Sequence, residues 1–243
     1  MTKFRKQSIT LKNLAKRTTM NIIVEKILSI PKSLYVCLRL LPFSQAIKLP
    51  IHIRYNASIL STKGHVEFKK EVHSGMLNIG FDKIGIFDKK YQRTILQIDG
   101  HILIEGEKNN FGQGVKLCVL ENGKLILGNN INNTGQMQLI CNKRIQICDN
   151  ALISWDTLIM DTDFHEVIDL TKNQHSEMDG EIYISEGVWI GARSTILKNS
   201  FIPKGCIVAA NACCNQKYKE EYCLLAGTPA TIKKRKVTLK QKQ

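Results

Sequence analysis

The chain has 243 residues, of which 43% are hydrophobic and 23% charged, a composition typical of a globular protein that argues against wholesale disorder. Its net charge is +14, but twelve of the basic side chains lie within residues 1–20 and 231–243, which contain no acidic residue. The segment between these ends is nearly neutral, whereas nucleic-acid-binding domains carry a basic stripe on the folded body. We therefore expect no nucleic-acid partner. The two ends are either solvated tails or contacts for phosphates or an anionic surface.

The most hydrophobic stretch near the start, residues 20–41, contains several basic residues and Pro31. No run in it approaches the ~18–20 apolar residues that a membrane span needs. We expect one or two amphipathic helices, broken at Pro31 and ended near Pro42. Such a helix can cap the fold or lie on a membrane surface. Capping is favoured because an open β-structure needs its end covered. Residues 1–50 are thus predicted to be a basic, partly helical N-terminal extension.

A six-residue repeat predicts the architecture of the following segment. The aliphatic residues that return at every sixth position are Ile184, Ile190, Ile196, Ile202 and Val208, with an earlier block at Ile147, Ile153 and Ile159 and a fainter one at Ile98 and Ile104. An α-helix would need returns at three and four, and a simple strand would alternate at two. A period of six indicates flat strand segments joined by corners and wound into stacked coils, because one coil cannot bury its own face. The prediction is an all-β fold, a parallel β-helix over 51–232, followed by a basic C-terminal tail over 233–243.

The coils between residues 105 and 146 are less regular. Three asparagine pairs interrupt the hexads there, at 109–110, 129–130 and 132–133. Asparagine tolerates left-handed backbone conformations, so we interpret these pairs as corners.

The repeat itself carries a family resemblance. The run ISEGVWIGARSTI, residues 184–196, resembles the hexapeptide-repeat acyltransferases, a superfamily of left-handed parallel β-helices. LAGTPATI, residues 225–232, resembles the closing Gly-x-Pro-Ala element of that family, and residues 153–165 are similar to members that act on capsular and other surface polysaccharides. The resemblance implies an acetyl-CoA-dependent O-acetyltransferase that acylates a hydroxyl of a saccharide. It also implies a homotrimer with active sites in clefts between subunits.

A loop insertion is expected where the repeat breaks, over about residues 161–182. A loop ejected from a regular solenoid is where such proteins place function. The resemblance assigns His165 in this loop as the general base, and imidazole, with a reference pKa of about 6.5, is suited to accept a hydroxyl proton at neutral pH. Glu166 either orients this imidazole or is a solvated loop carboxylate. Asp161 and Asp163 either bind acceptor hydroxyls or shape the turn through local hydrogen bonds.

Acetyl-CoA, by the same resemblance, lies along the later coils. The residues implied to contact it are Trp189, Gly191, Ala192, Ala209, Ala210, Thr228, Pro229, Lys233 and Lys234. The backbone N–H of Gly191 is the leading candidate to stabilise the oxyanion, because glycine lets a ligand approach closely. Trp189 is alternatively a surface aromatic packed between subunits. The basic residues 233–235 are placed to meet coenzyme phosphates.

Other functions and locations stay open on the sequence. Transfer to an amino sugar, and a non-catalytic β-helix trimer, are alternatives. A metalloenzyme like the γ-class carbonic anhydrases needs three converging histidines, whereas only His165 and His175 lie near each other, so no metal is expected. The eight cysteines show no CxxC spacing and fall mostly in β-like segments. They favour a reducing, cytoplasmic location, with peripheral contact at the inner face of an anionic membrane as a further option.

Overall fold

The computed structural model describes residues 23–81, 85, 91–171 and 173–240. Its strands form three long sheets, A, B and C, which run side by side along one axis. The basic residues predicted to form the N-terminal tail, and Lys242, lie outside these residues. Each coil of the chain passes through sheets A, B and C in turn and then starts the next coil one layer further along. The predicted parallel β-helix is therefore confirmed.

The strands are short, as flat segments between corners must be. Within the described residues, sheet A stacks β1 (Ile51–Ile53), β4 (Leu77–Ile79), β7 (Asn109–Phe111), β10 (Ile131–Asn133), β13 (Leu152–Ile153), β18 (Trp189–Ile190), β21 (Ile207–Val208), β23 (Leu224–Gly227) and β24 (Ala230–Lys234). Sheet B stacks β2 (Ser58–Ser61), β5 (Ile95–Ile98), β8 (Lys116–Val119), β11 (Gln138–Cys141), β14 (Leu158–Met160), β19 (Thr195–Leu197) and β22 (Cys213–Cys214). Sheet C stacks β3 (His65–Phe68), β6 (His101–Ile104), β9 (Lys124–Leu127), β12 (Arg144–Ile147), β17 (Ile182–Ile184) and β20 (Phe201–Ile202).

The aliphatic residues of the six-residue repeat fill the interior of the β-helix. The side chains of Ile153, Ile190 and Val208 occupy equivalent positions in three successive layers of sheet A, and all are fully buried. The other predicted aliphatics from Ile147 to Ile202 are likewise fully buried. Each such side chain stabilises the fold by about 1.5–3 kcal/mol through removal of its apolar surface from water.

Small residues fill the second inward position of each hexad. Ser194 and Cys206 lie there and are fully buried. The Ser194 hydroxyl donates to the carbonyl oxygens of Gly191 at 2.8 Å and Ala209 at 2.9 Å, so its polar group is satisfied inside the stack. All eight cysteines are free thiols. Burial raises the pKa of Cys214 to about 11, which makes it an inert packing residue rather than a nucleophile.

Only some of the asparagine residues form the predicted corners. Asn130 has a positive φ of 57° and does form a left-handed corner. Asn109 and Asn133, by contrast, are fully buried inside strands. The Asn109 amide donates to Gly128 O at 2.9 Å and accepts from Ile131 N at 2.9 Å, which joins two layers. A buried amide is tolerated because both of its ends have backbone partners.

In the part of the chain that the structure describes, two helices precede the first coil. Helix α1 covers residues 23–40 and α2 spans Phe43–Ala46. The predicted break at Pro31 is wrong, since α1 continues through this residue. Proline removes one N–H but its fixed φ is helical, and the packing of α1 on the first coil holds the helix together. The Ser33 hydroxyl illustrates that packing, because it accepts from Ile53 N at 2.9 Å.

The last coil is closed by an antiparallel hairpin. Strands β23 and β24 pair on either side of the turn at Thr228 and Pro229, whose peptide bond is cis. Lys233 and Lys234 belong to β24, so they are part of the folded body rather than of a free tail. Among the described residues, no helix is long and apolar enough to cross a membrane.

Replacing Ile145 by alanine tests the stacking of the coils. This side chain is fully buried in β12, in register with Leu125 and Ile182 of the adjacent layers. We expect Ile145→Ala to lower the free energy of unfolding by about 2–5 kcal/mol through lost burial and a cavity. Its outward neighbour provides the control, since Gln146→Ala should cost less than about 1 kcal/mol. Urea denaturation measures both values, and equal losses would contradict the inward and outward assignment.

Candidate active site

A long excursion interrupts the regular coils after β14. Strand β14 ends at Met160 in sheet B and β17 begins at Ile182 in sheet C, so the chain leaves the stack at the corner between these sheets. The excursion contains a short antiparallel hairpin of β15 (Ile168–Asp169) and β16 (Gln174–His175). It carries the candidate base and lies where the repeat breaks in the sequence.

Asp161 ties the start of the excursion to the preceding layer. Its carboxylate is fully buried and accepts three backbone N–H bonds, from Asn142 at 2.7 Å, Lys143 at 2.9 Å and Arg144 at 2.7 Å. Burial raises the pKa of this carboxyl, and the three N–H donors oppose that shift. The prediction that Asp161 binds acceptor hydroxyls is wrong, because both oxygens are occupied inside the fold.

Lys198 holds the other side of the excursion, a role that the repeat pattern did not predict. Its ammonium group lies 2.7 Å from the Asp163 carboxylate and also donates to the carbonyl oxygens of Glu177 and, at 3.3 Å, Met178. The pair therefore joins the beginning and the end of the loop. Asp163 remains partly exposed, and acceptor binding by this residue stays a prediction.

His165 is exposed on the outer part of the excursion. Its ring makes no hydrogen bond with any residue that the structure describes, so both nitrogens are available to a substrate or to another subunit. The preceding residue, Phe164, has a positive φ of 58°, and its N–H is held by the Thr162 hydroxyl at 3.1 Å. This turn sets the point from which the imidazole projects.

Glu166 has a different partner from the one expected. Its carboxylate oxygen lies 3.1 Å from Nδ1 of His175, across the hairpin. Of the two roles left open for Glu166, the orientation of His165 is not observed, because its carboxylate contacts His175 and closes the hairpin.

A groove runs along the outer face of sheet B beside the excursion. A cavity of about 250 Å³ lies between Phe164 and the outer face of sheet B. Its lining is mainly apolar, with Leu60 and Ile140 among it, and the side chains of Gln97, Lys116 and Gln138 add polar groups. A second cavity of about 330 Å³ continues from it and shares Lys116 and Gln138. Amide and ammonium groups suit sugar hydroxyls and carboxylates. The sequence analysis did not predict these residues. The feature that could have indicated them is the polar side chain at an outward position in each of the strands β5, β8 and β11.

The turns expected to line acetyl-CoA form a second line, at the corner between sheets A and B. Ala192, Ala210 and Thr228 lie in turns of three successive layers. Asn211 N donates to Ala192 O at 3.0 Å, and the Thr228 hydroxyl to Asn211 O at 3.4 Å. The structure thus brings the predicted turn residues of this set together, with small side chains that leave the backbone accessible.

Gly191 does not offer the oxyanion donor expected of it. Its N–H donates to Val208 O at 2.8 Å, as part of the pairing between layers. A Cβ at this position would lie 2.7 Å from Ala210 N, so glycine is required by coil packing. The next N–H, that of Ala192, makes no backbone hydrogen bond within the described chain. Of these two positions, only Ala192 therefore has an N–H that is not used in pairing between layers.

The remaining predicted coenzyme contacts lie on sheet A. Trp189 is half-buried on its outer face, and its indole N–H donates to the Ser154 hydroxyl at 3.1 Å. Lys233 and Lys234 are exposed on β24, with Lys234 opposite Leu224 and so away from the turn at Thr228. Arg235 is held by Glu220 through two hydrogen bonds of 2.6 and 3.0 Å.

The two lines of predicted residues lie at different corners of the same chain. His165 projects from the corner between sheets B and C, whereas Ala192 and the turns stacked with it lie between sheets A and B. In the described residues no group of three or more His, Cys, Asp or Glu side chains is arranged to hold a metal ion.

Comparisons with known proteins place the fold. No family profile matches the chain. A curated relative, the "Uncharacterized 24.8 kDa protein in cps region" of Klebsiella pneumoniae, is 27% identical over 146 residues, or 60% of this chain. The chain spans 61% of the length of that relative.

Solved structures give a broader likeness. The polySia-specific acetyltransferase NeuO is 16% identical, over 79% of this chain and 79% of its own, with a TM-score of 0.53. The chain has the same fold: a left-handed parallel β-helix. The polysialic acid O-acetyltransferase OatWY aligns over 77% of this chain and 89% of its own at 20% identity, with a TM-score of 0.44. The likeness to NeuO confirms the predicted left hand of the β-helix.

An amide in place of the Asp161 carboxylate distinguishes a structural role from substrate binding. Asparagine cannot accept N–H bonds on its amide nitrogen, so Asp161→Asn leaves at least one buried backbone donor unpaired. We expect a loss of about 1–3 kcal/mol in the free energy of unfolding, measured by thermal or urea denaturation. Asp163→Asn, at a partly exposed ion pair, should cost less than about 1 kcal/mol. An unchanged stability for Asp161→Asn would contradict the anchoring role.

Proposed function

We propose that this protein transfers an acetyl group from acetyl-CoA to a hydroxyl of a saccharide, with His165 as the general base. The observation that carries the proposal is an exposed imidazole, without a hydrogen-bond partner in the described chain, on the excursion that interrupts the β-helix. NeuO, which shares the fold, is a polySia-specific acetyltransferase and supports the reaction class. Since that likeness concerns the fold, the chemistry is argued from the residues.

The chemistry needs few protein groups. A thioester is already activated, so no covalent intermediate with the protein is required. The imidazole of His165 removes the proton of the sugar hydroxyl as its oxygen attacks the thioester carbonyl, and CoA leaves as the thiol. General-base assistance of this kind contributes about 10²–10⁴-fold to the rate. As the carbonyl carbon becomes tetrahedral, the free N–H of Ala192 donates a hydrogen bond to the oxyanion that forms on the carbonyl oxygen.

We propose that a neighbouring copy completes each site. The imidazole and the line of small residues occupy different corners of one chain, so they meet only if the corner of one protomer faces the excursion of another. A heterologous contact of this type closes into a ring when its rotation matches, and three copies form such a ring. The apolar residues Leu158, Met160 and Leu197 on the outer face of sheet B support a buried subunit contact.

We propose that the acceptor binds in the groove beside Phe164. Gln97, Lys116 and Gln138 present hydrogen-bonding groups along its length, and the groove adjoins the residue before His165. An extended saccharide can follow such a groove, with one hydroxyl held at His165. We also propose that the exposed lysines of β24 meet the phosphates of the coenzyme and that the reaction takes place in the cytoplasm, where acetyl-CoA is available.

The imidazole is tested by the His165→Ala variant. With acetyl-CoA and a panel of nucleotide sugars, amino sugars and oligosaccharides, thiol release by the wild-type protein identifies the acceptor. We expect the variant to lower kcat by about 10²–10⁴-fold, with the KM for acetyl-CoA changed little, because the base acts in the transition state. His73→Ala, an exposed histidine outside the excursion, is the control and should keep the wild-type rate. An unchanged kcat in His165→Ala would remove the mechanism.

The oxyanion donor is tested by removing one N–H. Ala192→Pro deletes the proposed hydrogen-bond donor, and we expect kcat to fall by about 10²–10³-fold. The midpoint of thermal unfolding must be measured in parallel, so that a disturbed turn is recognised. A folded Ala192→Pro protein with full kcat would show that the donor lies elsewhere.

A further inference from the structure

Helix α1 presents an apolar face to the outside. Its exposed apolar residues are Ile23, Val24, Ile27, Leu28, Ile30, Tyr35 and Leu38. At 100° per residue these positions fall within a continuous arc of roughly 160°. In a surface helix of a globular protein such an arc faces the core. Here it faces away from the β-helix.

The opposite face of α1 is the one that covers the first coil. Ser29 and Ser33 are buried there, together with the smaller set of apolar residues Val36, Cys37 and Leu40. Ser29 Oγ accepts from Tyr55 N at 2.9 Å, as Ser33 Oγ does from Ile53 N. The helix is thus fixed by hydroxyl contacts through its more polar side. The exposure of the isoleucines is consequently built into the fold, since turning α1 over would break these bonds.

A basic residue borders the apolar arc. Arg39 is exposed and lies at one edge of the arc on the helical projection. Lys32, beside it, instead donates to the carbonyl oxygens of Tyr55 and Ala57 in the first coil. The apolar surface continues into α2, where Phe43 is 71% exposed, and Ile47, which follows α2, is 57% exposed. An apolar helix face with arginine at its edge is the arrangement of a helix lying in a membrane interface.

The chain before α1 supplies the matching charge. Residues 1–20 contain six lysine or arginine residues and no acidic residue. Each such residue near an anionic membrane surface contributes about 1 kcal/mol of attraction. A second copy of this chain would not explain the charge, because two equally basic segments repel each other. Charge complementarity therefore favours anionic lipid over a protein partner.

We propose that α1 and α2 bind the surface of an anionic bilayer through this apolar face, with the basic segment over residues 1–20 contacting the lipid headgroups. The contact holds the β-helix beside the membrane without a spanning segment. It is a surface of its own, separate from the excursion and from the line of small residues. The inference therefore does not depend on the acetyl-transfer chemistry.

Vesicle cosedimentation of the full chain tests the proposal. Vesicles of phosphatidylcholine alone are compared with an equal mixture of phosphatidylcholine and phosphatidylglycerol. We expect the wild-type protein to bind the anionic vesicles at least about tenfold more tightly, and about 1 M NaCl to weaken that binding strongly. No preference for anionic vesicles would overturn the proposal.

Two variants separate the apolar and the electrostatic parts. Ile27→Gln combined with Leu38→Gln alters only exposed positions, and we expect it to reduce binding to anionic vesicles by at least about tenfold. Replacing Lys3, Arg5 and Lys6 by glutamine should reduce binding to anionic vesicles to a similar degree. Leu170→Gln removes the side chain that is 90% exposed on the excursion and should bind as the wild type does.

Sedimentation velocity and circular dichroism of the same variants complete the test. We expect the Ile27→Gln, Leu38→Gln double variant to keep the wild-type oligomeric state and secondary structure. Wild-type vesicle binding by this variant would overturn the proposal. So would a loss of oligomers without any vesicle binding by the wild type, since the face would then be a contact between copies of the chain.

Discussion

The structure depends on one constraint, that a coil of this chain cannot bury its own inward side chains. Isoleucine and valine in each layer are covered only by the layers above and below, and the parallel backbone pairing holds those layers in register. The inward positions from Ile147 to Val208 are fully buried for this reason. The fold therefore needs an uninterrupted stack, and every functional group is carried outside it, at corners, on outer faces or on an excursion.

The excursion meets that constraint without opening the stack. Asp161 fills the corner that the departing chain would otherwise leave, by accepting three N–H groups of the layer before it. Lys198 joins the two ends of the loop through Asp163 and the carbonyl oxygens near Met178. The β-helix continues from β14 to β19 in register as though the loop were absent. The contacts of Asp161 and Lys198 fix the two ends of the excursion, and thereby the position from which His165 is exposed.

Much of this fold was readable from residue types and spacing. A period of six is distinct from the periods of a helix and of an alternating strand, so the later coils and the break before Ile184 could be predicted. The early coils could not, since Asn109 and Asn133 replace aliphatic residues inside strands, where only tertiary pairing reveals their hydrogen bonds. Pro31 was wrongly predicted to end a helix for a related reason. The packing of α1 on the first coil outweighs the local preference of proline to break a helix.

The site was predicted less well than the fold because its residues act across the layers. Asp161 and Gly191 carry the residue types expected of ligand contacts, yet both are committed to hydrogen bonds with adjacent coils. A carboxylate or an N–H is free to bind a ligand only if no group in an adjacent coil, about twenty positions away, uses it. The spacing of residues within one coil does not reveal such hydrogen bonds. The groove beside Phe164 is formed by three separate coils, which contribute Gln97, Lys116 and Gln138, so no local motif could identify it.

The anchoring of the excursion has a consequence for how specificity can change. Because both ends are fixed by Asp161 and Lys198, the residues between them are decoupled from the stability of the stack. Insertions or exchanges within the hairpin would alter what is presented to a substrate while the scaffold stays intact. The hairpin can therefore change in sequence and length while the stacked coils that support it keep their packing.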